Sequence, residues 1–259
     1  MNELVQIERD AYGVKGVVSL TLNRPDAFNA LSEAMLEALE TALKEAGGSD
    51  ARVVVLAGAG RAFCAGHDLK EMRAEPAREY YRELFARCSR MMLTIQRMPQ
   101  PVIARVHGIA TAAGCQLVAM CDLAVASSDA RFAVSGVNLG LFCATPSVPL
   151  SRNVSRKAAF EMLVTGEFID AHKAIERGLV NRVASPGELD DAVRKLAATI
   201  AAKPREAVAA GKGLFYRQLE TGIEQAYAMA SETMACNMME DATLEGTQAF
   251  IEKRPPRWE

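Results

Sequence analysis

The chain has 259 residues, of which 50% are hydrophobic and 24% are charged, and its formal net charge is -2. This length and composition are ordinary for a globular protein, and the near-neutral charge gives no basis for a nucleic-acid or membrane partner. The six cysteines form no CxxC pair and several lie in apolar runs, as buried free thiols do, so we expect the bacterial cytoplasm or, if a leader has been removed, the mitochondrial matrix.

The first half of the chain repeats one pattern three times: a strand-like run, a turn of small residues and a helical run. In the first repeat "VVSLTL" alternates as a strand does, and a helix is predicted from an N-cap at Ser32 to stops at Gly47 and Gly48. The second repeat starts with an apolar strand at residues 53–56, and the third starts with "PVIARV". This alternation predicts an α/β protein with parallel strands and right-handed crossovers.

Beyond residue 187 only helical periodicity remains. We therefore predict two parts, an α/β core at residues 1–187 and an all-helical region at residues 188–259. One helical segment is rich in methionine, which is more typical of a core or a subunit contact than of a cofactor site.

Two small-residue loops, "FCAGHDL" at 63–69 and "IATAAGC" at 109–115, each follow a strand and open a helix. A helix N-terminus presents unpaired N–H groups, so two such ends facing one cavity could hold a single carbonyl oxygen. The alternative is that the small residues only let the helices pack closely on the sheet.

Five segments together resemble the crotonase (enoyl-CoA hydratase/isomerase) family in order and spacing. They are "NRPDAFNALS", "FCAGHDL", "HGIATAAGCQLVAMCDLAVASS", "VTGEFIDAHKAIERGLVNRV" and "EGTQAFIEKRPPRW". In detail, "ATAAGCQLVAMCDLAVAS" and "GVNLGLFCATPSV" resemble the branch known as enoyl-CoA hydratase domain-containing protein 3.

The resemblance implies a crotonase/ClpP-like spiral of ββα repeats with a C-terminal helical trimerisation region, assembled as a trimer or a dimer of trimers. It implies an acyl-CoA thioester as the ligand and no permanently bound cofactor. The thioester oxygen would accept hydrogen bonds from the backbone N–H groups of His67 and Ala113. Further ligand contacts would come from Arg24, Ala27, Ala65, Asp68, Leu69, Gly114 and Cys143, and from Phe250 and Lys253 of a neighbouring subunit.

Three of these residues have a plainer interpretation. Asp68 is more simply explained as a helix cap or a first-turn acid than as a catalyst. Lys253 could equally be a solvated surface charge. Cys143 is better explained as a buried, inert thiol than as a nucleophile, because no base lies beside it in the sequence. The three histidines have no ligand spacing, so we predict no metal site.

Both glutamates of the family hydratases are replaced in this chain. The first position of the pattern is Gln116 in "AAGCQ", and the second is Gly136 in "FAVSGVNLG". An amide does not shuttle protons near pH 7 and glycine has no side chain, so we predict weak hydration or a different reaction of an acyl-CoA.

The position of His67 resembles that of a histidine in methylmalonyl-CoA decarboxylase. This keeps open an acyl-CoA lyase of decarboxylase type, although His67 could contribute only its backbone N–H. The other alternative is a non-catalytic protein of lipid metabolism that binds or sequesters acyl-CoA.

Overall fold

Two sheets are formed by the ten strands of the computed structural model, which describes residues 3–258. The first sheet has the order β1-β2-β3-β5-β7-β10 and the second the order β4-β6-β8-β9. All neighbours are parallel except the β1–β2 and β8–β9 pairs. The strands are β1 (Val5–Arg9), β2 (Val17–Leu22), β3 (Val53–Gly58), β4 (Ala62–Cys64), β5 (Val102–Val106), β6 (Ile109–Thr111), β7 (Leu123–Ser127), β8 (Arg131–Ala133), β9 (Ile169–Asp170) and β10 (Arg182–Ala184).

Helices cover the sheets and fill the C-terminal part of the chain. They are α1 (Glu33–Gly47), α2 (Leu69–Ala74), α3 (Arg78–Arg97), α4 (Ala113–Met120), α5 (Ala144–Asn153), α6 (Arg156–Thr165), α7 (Ala171–Glu176), α8 (Leu189–Ala201), α9 (Arg205–Gln218), α10 (Ile223–Met238) and α11 (Asp241–Ile251). The predicted start of α1 is confirmed, since the Ser32 hydroxyl accepts a hydrogen bond from the Met35 N–H at 3.1 Å, and α1 ends at Gly47 as predicted. None of the helices between residues 3 and 258 is long and apolar enough to cross a membrane.

The predicted spiral of ββα repeats is confirmed. Each repeat places one strand in the first sheet, a short strand in the second sheet and then a helix: β3–β4–α2, β5–β6–α4 and β7–β8–α5. The segment before α1 follows the same course, because Leu31 forms a single parallel bridge with His67. This succession brings the loops before α2 and α4 to the same edge of the second sheet.

The central strands β2, β3 and β5 of the first sheet are buried on both faces, which explains their nearly continuous apolar sequences. Val54 and Leu56 of β3 pack into the core under α1, α3 and α4, whereas Val53 and Val55 pack into a second core with α8. Residues 188–258 contain only helices, as predicted, but α8 shares this second core with the strands. The exact division at residues 187 and 188 stays a prediction.

A buried ion pair attaches α9 to the body of the protein. The Lys212 ammonium donates hydrogen bonds to the Asp122 carboxylate at 2.7 Å and to the Ile95 and Gln100 carbonyl oxygens at 2.8 Å each. The Tyr216 hydroxyl donates to the other Asp122 oxygen at 2.7 Å. Burial lowers the pKa of Lys212, and Asp122 opposes that shift. The packing of α9 excludes water from the Lys212 ammonium and the Asp122 carboxylate, and each charge is compensated by the other.

Candidate functional site

The loop before α2 and the loop before α4 pack directly against each other at Gly66. A Cβ at Gly66 would lie 3.0 Å from the Ala112 Cβ, 3.1 Å from the Thr111 carbonyl oxygen and 3.2 Å from the Ala113 nitrogen. A Cβ at Gly114 would lie 2.0 Å from the Cys64 carbonyl oxygen, so only glycine allows this approach. The two small-residue loops singled out in the sequence therefore form one site.

The backbone N–H groups of His67, next to Gly66 in the chain, and of Ala113, in the facing loop, lack a protein acceptor in the described chain. The bridge to Leu31 uses the Gly66 carbonyl at 2.7 Å and the Asp68 N–H at 3.3 Å, which turns the His67 N–H away from Leu31. Ala113 is the first residue of α4, where an N–H has no partner within the helix. Between residues 3 and 258 neither N–H donates to a protein acceptor.

The backbone at Ala112 is held in a conformation that alanine rarely adopts, with φ 51° and ψ -120°. Its N–H donates to the Ala133 carbonyl at 2.9 Å, and its carbonyl accepts from the Gln116 N–H at 3.0 Å. A positive φ in a residue with a Cβ is strained and persists only where the surroundings enforce it. This geometry sets the direction of the neighbouring Ala113 N–H.

The imidazole of His67 is buried against an aromatic side chain. Its ring meets Phe85 edge to face, with the centroids 5.5 Å apart, and neither ring nitrogen has a hydrogen-bond partner. Burial lowers the pKa of His67, and a contact with the Leu31 backbone, too loose for a hydrogen bond, offsets part of that shift. His67 is therefore predominantly neutral near pH 7.

Gln116 lies one helical turn beyond Ala113, on the same face of α4. Helical side chains lean back toward the N-terminus, so its amide covers the turn that begins at Ala112. Gln116 is 4% exposed and its Oε1 atom is buried without a partner. The predicted first glutamate position thus lies in the first turn of α4, three residues after Ala113.

Gly136 lies in a 3₁₀ turn at Ser135–Leu139, and the chain that follows folds back over it. Its N–H donates to the Cys143 sulfur at 3.3 Å and its carbonyl accepts from the Leu141 N–H at 3.0 Å. A Cβ there would lie 2.5 Å from the Leu141 carbonyl oxygen and 2.7 Å from the Cys143 sulfur. The loop at residues 136–143 therefore occupies the space that a side chain at 136 would need.

The Cys143 thiol is buried and protonated. Burial raises its pKa, and the hydrogen bond from Gly136 lowers it by a smaller amount. The Thr111 and Ser135 hydroxyls are 2.9 Å apart, which links the start of the 3₁₀ turn to the loop before α4. In the described range of 3–258, no three His, Cys, Asp or Glu side chains are grouped as metal ligands would be.

Asp68 acts as the N-cap of α2 and pairs with Arg24. Its carboxylate accepts from the Lys70 and Glu71 N–H groups at 3.0 and 3.4 Å, and the Arg24 guanidinium lies 2.7 Å away. Burial favours a higher pKa for Asp68, but the Arg24 hydrogen bond and the cap hold it below its usual value. The interpretation of Asp68 as a helix cap is confirmed.

The other predicted ligand contacts fall in two places. The Ala65 N–H donates a hydrogen bond to the Phe28 carbonyl at 3.0 Å. This bond brings the turn that contains the half-buried Ala27 beside the loop at 63–69. Leu69, at the end of that loop, is 55% exposed. Phe250 is 85% exposed near the end of α11, and Lys253 is exposed just beyond it.

Asn29 is a positioning residue that the sequence did not reveal. It is fully buried, and its amide donates to the Ala59, Ala62 and Phe63 carbonyls at 2.8, 2.8 and 3.2 Å and accepts from the Arg24 N–H at 2.9 Å. Asn29 therefore connects the turn at Arg24 to residues 59–63, which precede the loop of the site. The only signal in the sequence was that Asn29 is a single polar residue within "AFNAL". The neighbouring residues do not show whether such an asparagine is buried or lies in an exposed loop.

Comparison with known proteins identifies this arrangement. The chain matches the family model described as enoyl-CoA hydratase/isomerase over residues 13–259. It is 46% identical over 244 residues to the mitochondrial enoyl-CoA hydratase domain-containing protein 3 of Rattus norvegicus, which covers 94% of this chain and 81% of the rat protein.

Solved structures agree with this match. The crystal structure of an enoyl-CoA hydratase of Mycobacterium smegmatis has a TM-score of 0.97 at 67% identity, covering 99% of each chain. Human enoyl-CoA hydratase domain-containing protein 3 has a TM-score of 0.94 at 42% identity, covering 98% of this chain and 100% of that one. The predicted family and the predicted likeness to the domain-containing protein 3 branch are confirmed. The chain belongs to the enoyl-CoA hydratase/isomerase family, and its fold is the crotonase fold.

Proposed function

We propose that this protein binds an acyl-CoA thioester and polarises its carbonyl through the N–H groups of His67 and Ala113. The observation that carries this proposal is that both N–H groups lie beside Gly66 and lack a protein acceptor. One such donor typically contributes about a hundredfold to a thousandfold in rate when charge develops on the oxygen. The thioester is thereby activated for reactions that pass through an enolate-like state.

Hydration is the family reaction that the site supports least. It needs groups that hold a water and move a proton, and each such group typically contributes about 10²–10⁴ in rate. The Gln116 amide moves no proton, and the loop over Gly136 fills the second position. We therefore propose an acyl-CoA enzyme of this family with weak hydratase activity or a different, lyase-type reaction.

Decarboxylation is the second candidate, because it needs an electron sink more than a base. The two N–H groups would supply such a sink, and the His67 ring is buried and neutral, with neither nitrogen hydrogen-bonded within the described residues. Binding without turnover is the remaining candidate, and the closed loop over Gly136 favours it.

The coenzyme part of the ligand would lie along the surface that begins at Arg24. Its guanidinium is one-third exposed although it pairs with Asp68, and Ala27, Ala65 and Leu69 flank it. The large apolar side chains exposed on α10 and α11 favour self-association as a trimer or a dimer of trimers, which would bring Phe250 and Lys253 to a neighbouring site. These side chains are Ile223, Tyr227, Met234, Met238, Leu244, Phe250 and Ile251.

The test is a panel of enoyl-, malonyl-type and saturated acyl-CoA esters, with thermal protection of the protein and the masses of the esters measured after incubation. Protection without mass change indicates binding alone, a gain of water indicates hydration, and a loss of carbon dioxide indicates decarboxylation. Failure of every ester to protect the protein would refute the proposal.

Polarisation is tested separately by the infrared frequency of a carbonyl-labelled thioester, which should fall on binding. Ala113→Pro removes one N–H at a first helical position and should cancel much of that fall, but proline disfavours the φ and ψ of the preceding Ala112. Arg156→Pro makes the same change at the first position of α6 as a control. If Ala113→Pro does not fold by circular dichroism, the frequency in the unchanged protein still decides: an unshifted carbonyl excludes the two-donor site.

A further inference from the structure

We infer that the protein has a second binding site, which takes a nucleoside phosphate with two or more negative charges. The site is a cavity of about 630 Å³ between the body of the protein and its C-terminal helices. Sites for small molecules typically have volumes of roughly 300–1,000 Å³. The inference goes beyond the proposed function and does not depend on it, because no residue of the thioester site lines this cavity.

The cavity lies at the end of the first sheet opposite the thioester site. Lys15 and Gly16 precede β2, and Arg52 precedes β3, which runs parallel to β2. Arg24 and the loop at 63–69 follow the other ends of these two strands. A strand of six residues, such as β2, is about 20 Å long. The two sites are therefore separate.

Four cationic side chains line the cavity, and none of them forms an ion pair within residues 3–258. They are Arg9, Lys15, Arg52 and Arg205. Three acidic side chains share the lining without pairing with them. Asp10 instead accepts a hydrogen bond from the Gly16 N–H at 2.7 Å, and Asp50 and Glu206 are exposed. The cavity therefore has an excess of positive charge that the described chain does not neutralise.

The two half-buried arginines of this lining are held in place by backbone carbonyl groups. The Arg52 guanidinium donates to the Ala201 and Lys203 carbonyls at 3.1 Å each. The Arg205 guanidinium donates to the Ser49 carbonyl at 2.8 Å. These bonds use one nitrogen of each guanidinium and orient the rest of the group. A guanidinium fixed in this way can donate two parallel hydrogen bonds to phosphate oxygens.

The number of cations favours a ligand with more than one negative charge. Arg9 and Lys15 are exposed, and their side chains make no hydrogen bond within the described residues. They add two charges to those of the fixed arginines. A single phosphate monoester carries about -1.5 to -2 charges near pH 7, and a diphosphate carries more. We therefore assign the charged part of the ligand to phosphate groups.

Trp258 supplies an aromatic wall to the same cavity. An added Cβ at Gly246 would lie 2.8 Å from the indole, so α11 supports this ring directly, and the ring side chain remains 38% exposed. Stacking of a nucleic-acid base on an aromatic side chain typically strengthens binding by about tenfold or more. An indole beside unpaired cations thus favours a nucleoside phosphate over a free phosphate ion.

The fluorescence of Trp258 gives a direct test, because this residue is the only tryptophan of the chain. The full-length protein is titrated with adenosine diphosphate (ADP), inorganic pyrophosphate, citrate and adenosine. We expect ADP to change the tryptophan fluorescence saturably and to bind about tenfold or more tightly than pyrophosphate, citrate or adenosine. Butyryl-CoA should leave bound ADP in place at a concentration that saturates the thioester site.

Two variants locate the phosphate groups. Lys15→Gln removes an exposed charge that holds no other part of the described chain and should weaken ADP binding severalfold. Arg205→Gln removes a fixed guanidinium and should weaken it about tenfold or more. Lys157→Gln makes the matched change at an exposed lysine of α6 and should retain the affinity. If circular dichroism shows that Arg205→Gln does not fold, Lys15→Gln decides.

Several results would overturn the inference. If ADP does not bind, if it binds without a change in fluorescence, or if its affinity survives the substitutions at 15 and 205, the cavity is not a nucleotide site. Displacement of ADP by butyryl-CoA would show that the site is not separate. Citrate or pyrophosphate binding as tightly as ADP would contradict the assignment of phosphate or of the base. A protein that binds ADP in this way but no CoA thioester would refute the proposed function alone.

Discussion

Gly136 offers a direct test of whether the protein excludes a second carboxylate by its shape. In Gly136→Ala the new methyl would lie 2.5 Å from the Leu141 carbonyl oxygen and 2.7 Å from the Cys143 sulfur. The Leu141 backbone cannot yield freely, because its N–H donates to the Gly136 carbonyl at 3.0 Å. Overpacking of this kind costs roughly 1–3 kcal/mol. At about 2–4 °C per kcal/mol for a chain of this size, the melting temperature should fall by roughly 2–12 °C.

Gly136→Glu should lose at least as much, because it adds a buried carboxyl group to the same collision. It should also gain no hydratase activity, even when combined with Gln116→Glu, since the loop blocks the position in which the second carboxylate would act. Differential scanning calorimetry measures the stability, and the absorbance of crotonyl-CoA follows hydration. Gly187→Ala is the matched control, because a Cβ at that exposed glycine meets nothing within 4 Å. A Gly136→Glu protein as stable as the wild type, or a double variant with ordinary hydratase rates, would refute the reasoning.

Three further changes test other parts of the structure. Ala112→Gly should raise the melting temperature by about 2–4 °C. Glycine relieves the strain of the positive φ, and this gain in free energy exceeds the cost of glycine's greater loss of backbone entropy by up to about 1 kcal/mol. An unchanged melting temperature would mean that Ala112 is unstrained. Lys212→Met should cost about 3–5 kcal/mol in urea unfolding, as expected for a broken buried ion pair. Lys195→Met, at an exposed pair, should cost at most about 1 kcal/mol, and equal losses would contradict the distinction. For Asp68, whose folded pKa is depressed, the stabilisation is complete above the unfolded carboxyl pKa and is lost as the pH falls through the folded pKa. The gap in melting temperature between the wild type and Asp68→Asn should therefore shrink below about pH 4, and a gap independent of pH would exclude the pairing.

Local patterns predicted the long elements of the fold, because their own residues carry the signal. The Ser32 cap, the stop at Gly47 and the apolar strand at residues 53–56 all depend on contacts within a few residues or on burial of a whole strand. The strands of the second sheet are only two or three residues long and lie within runs of small residues, so periodicity assigned them to turns. Only the family resemblance indicated them. The antiparallel pairing of β1 with β2 was not predicted, since the choice of a partner strand is a tertiary property.

The sequence predicted which two loops form the site, but not how they are arranged in space. Sequence indicated that the loops before α2 and α4 open helices. The close packing of Gly66, where an added Cβ would lie 3.2 Å from the Ala113 nitrogen, depends instead on how two repeats stack. The closure of residues 136–143 over Gly136 was equally hidden, because it depends on a backbone contact and a thiol seven residues away. Asn29 was missed for the same reason: the three carbonyl groups to which its amide donates lie 30 to 34 residues from it along the chain.

The proposed function separates the groups that would hold a thioester from the groups that would move protons. The two free N–H groups belong to the backbone, and their positions are enforced by Gly66, Gly114 and the strained Ala112, none of which takes part in acid–base chemistry. Strain of this kind costs on the order of 1–3 kcal/mol and is found where a backbone must point in one direction. The side chains at 116 and 136 can therefore change without moving the donors. The replacement of both family glutamates, which the resemblance implies, therefore predicts a change of reaction or of ligand, and not loss of the proposed acyl-CoA binding.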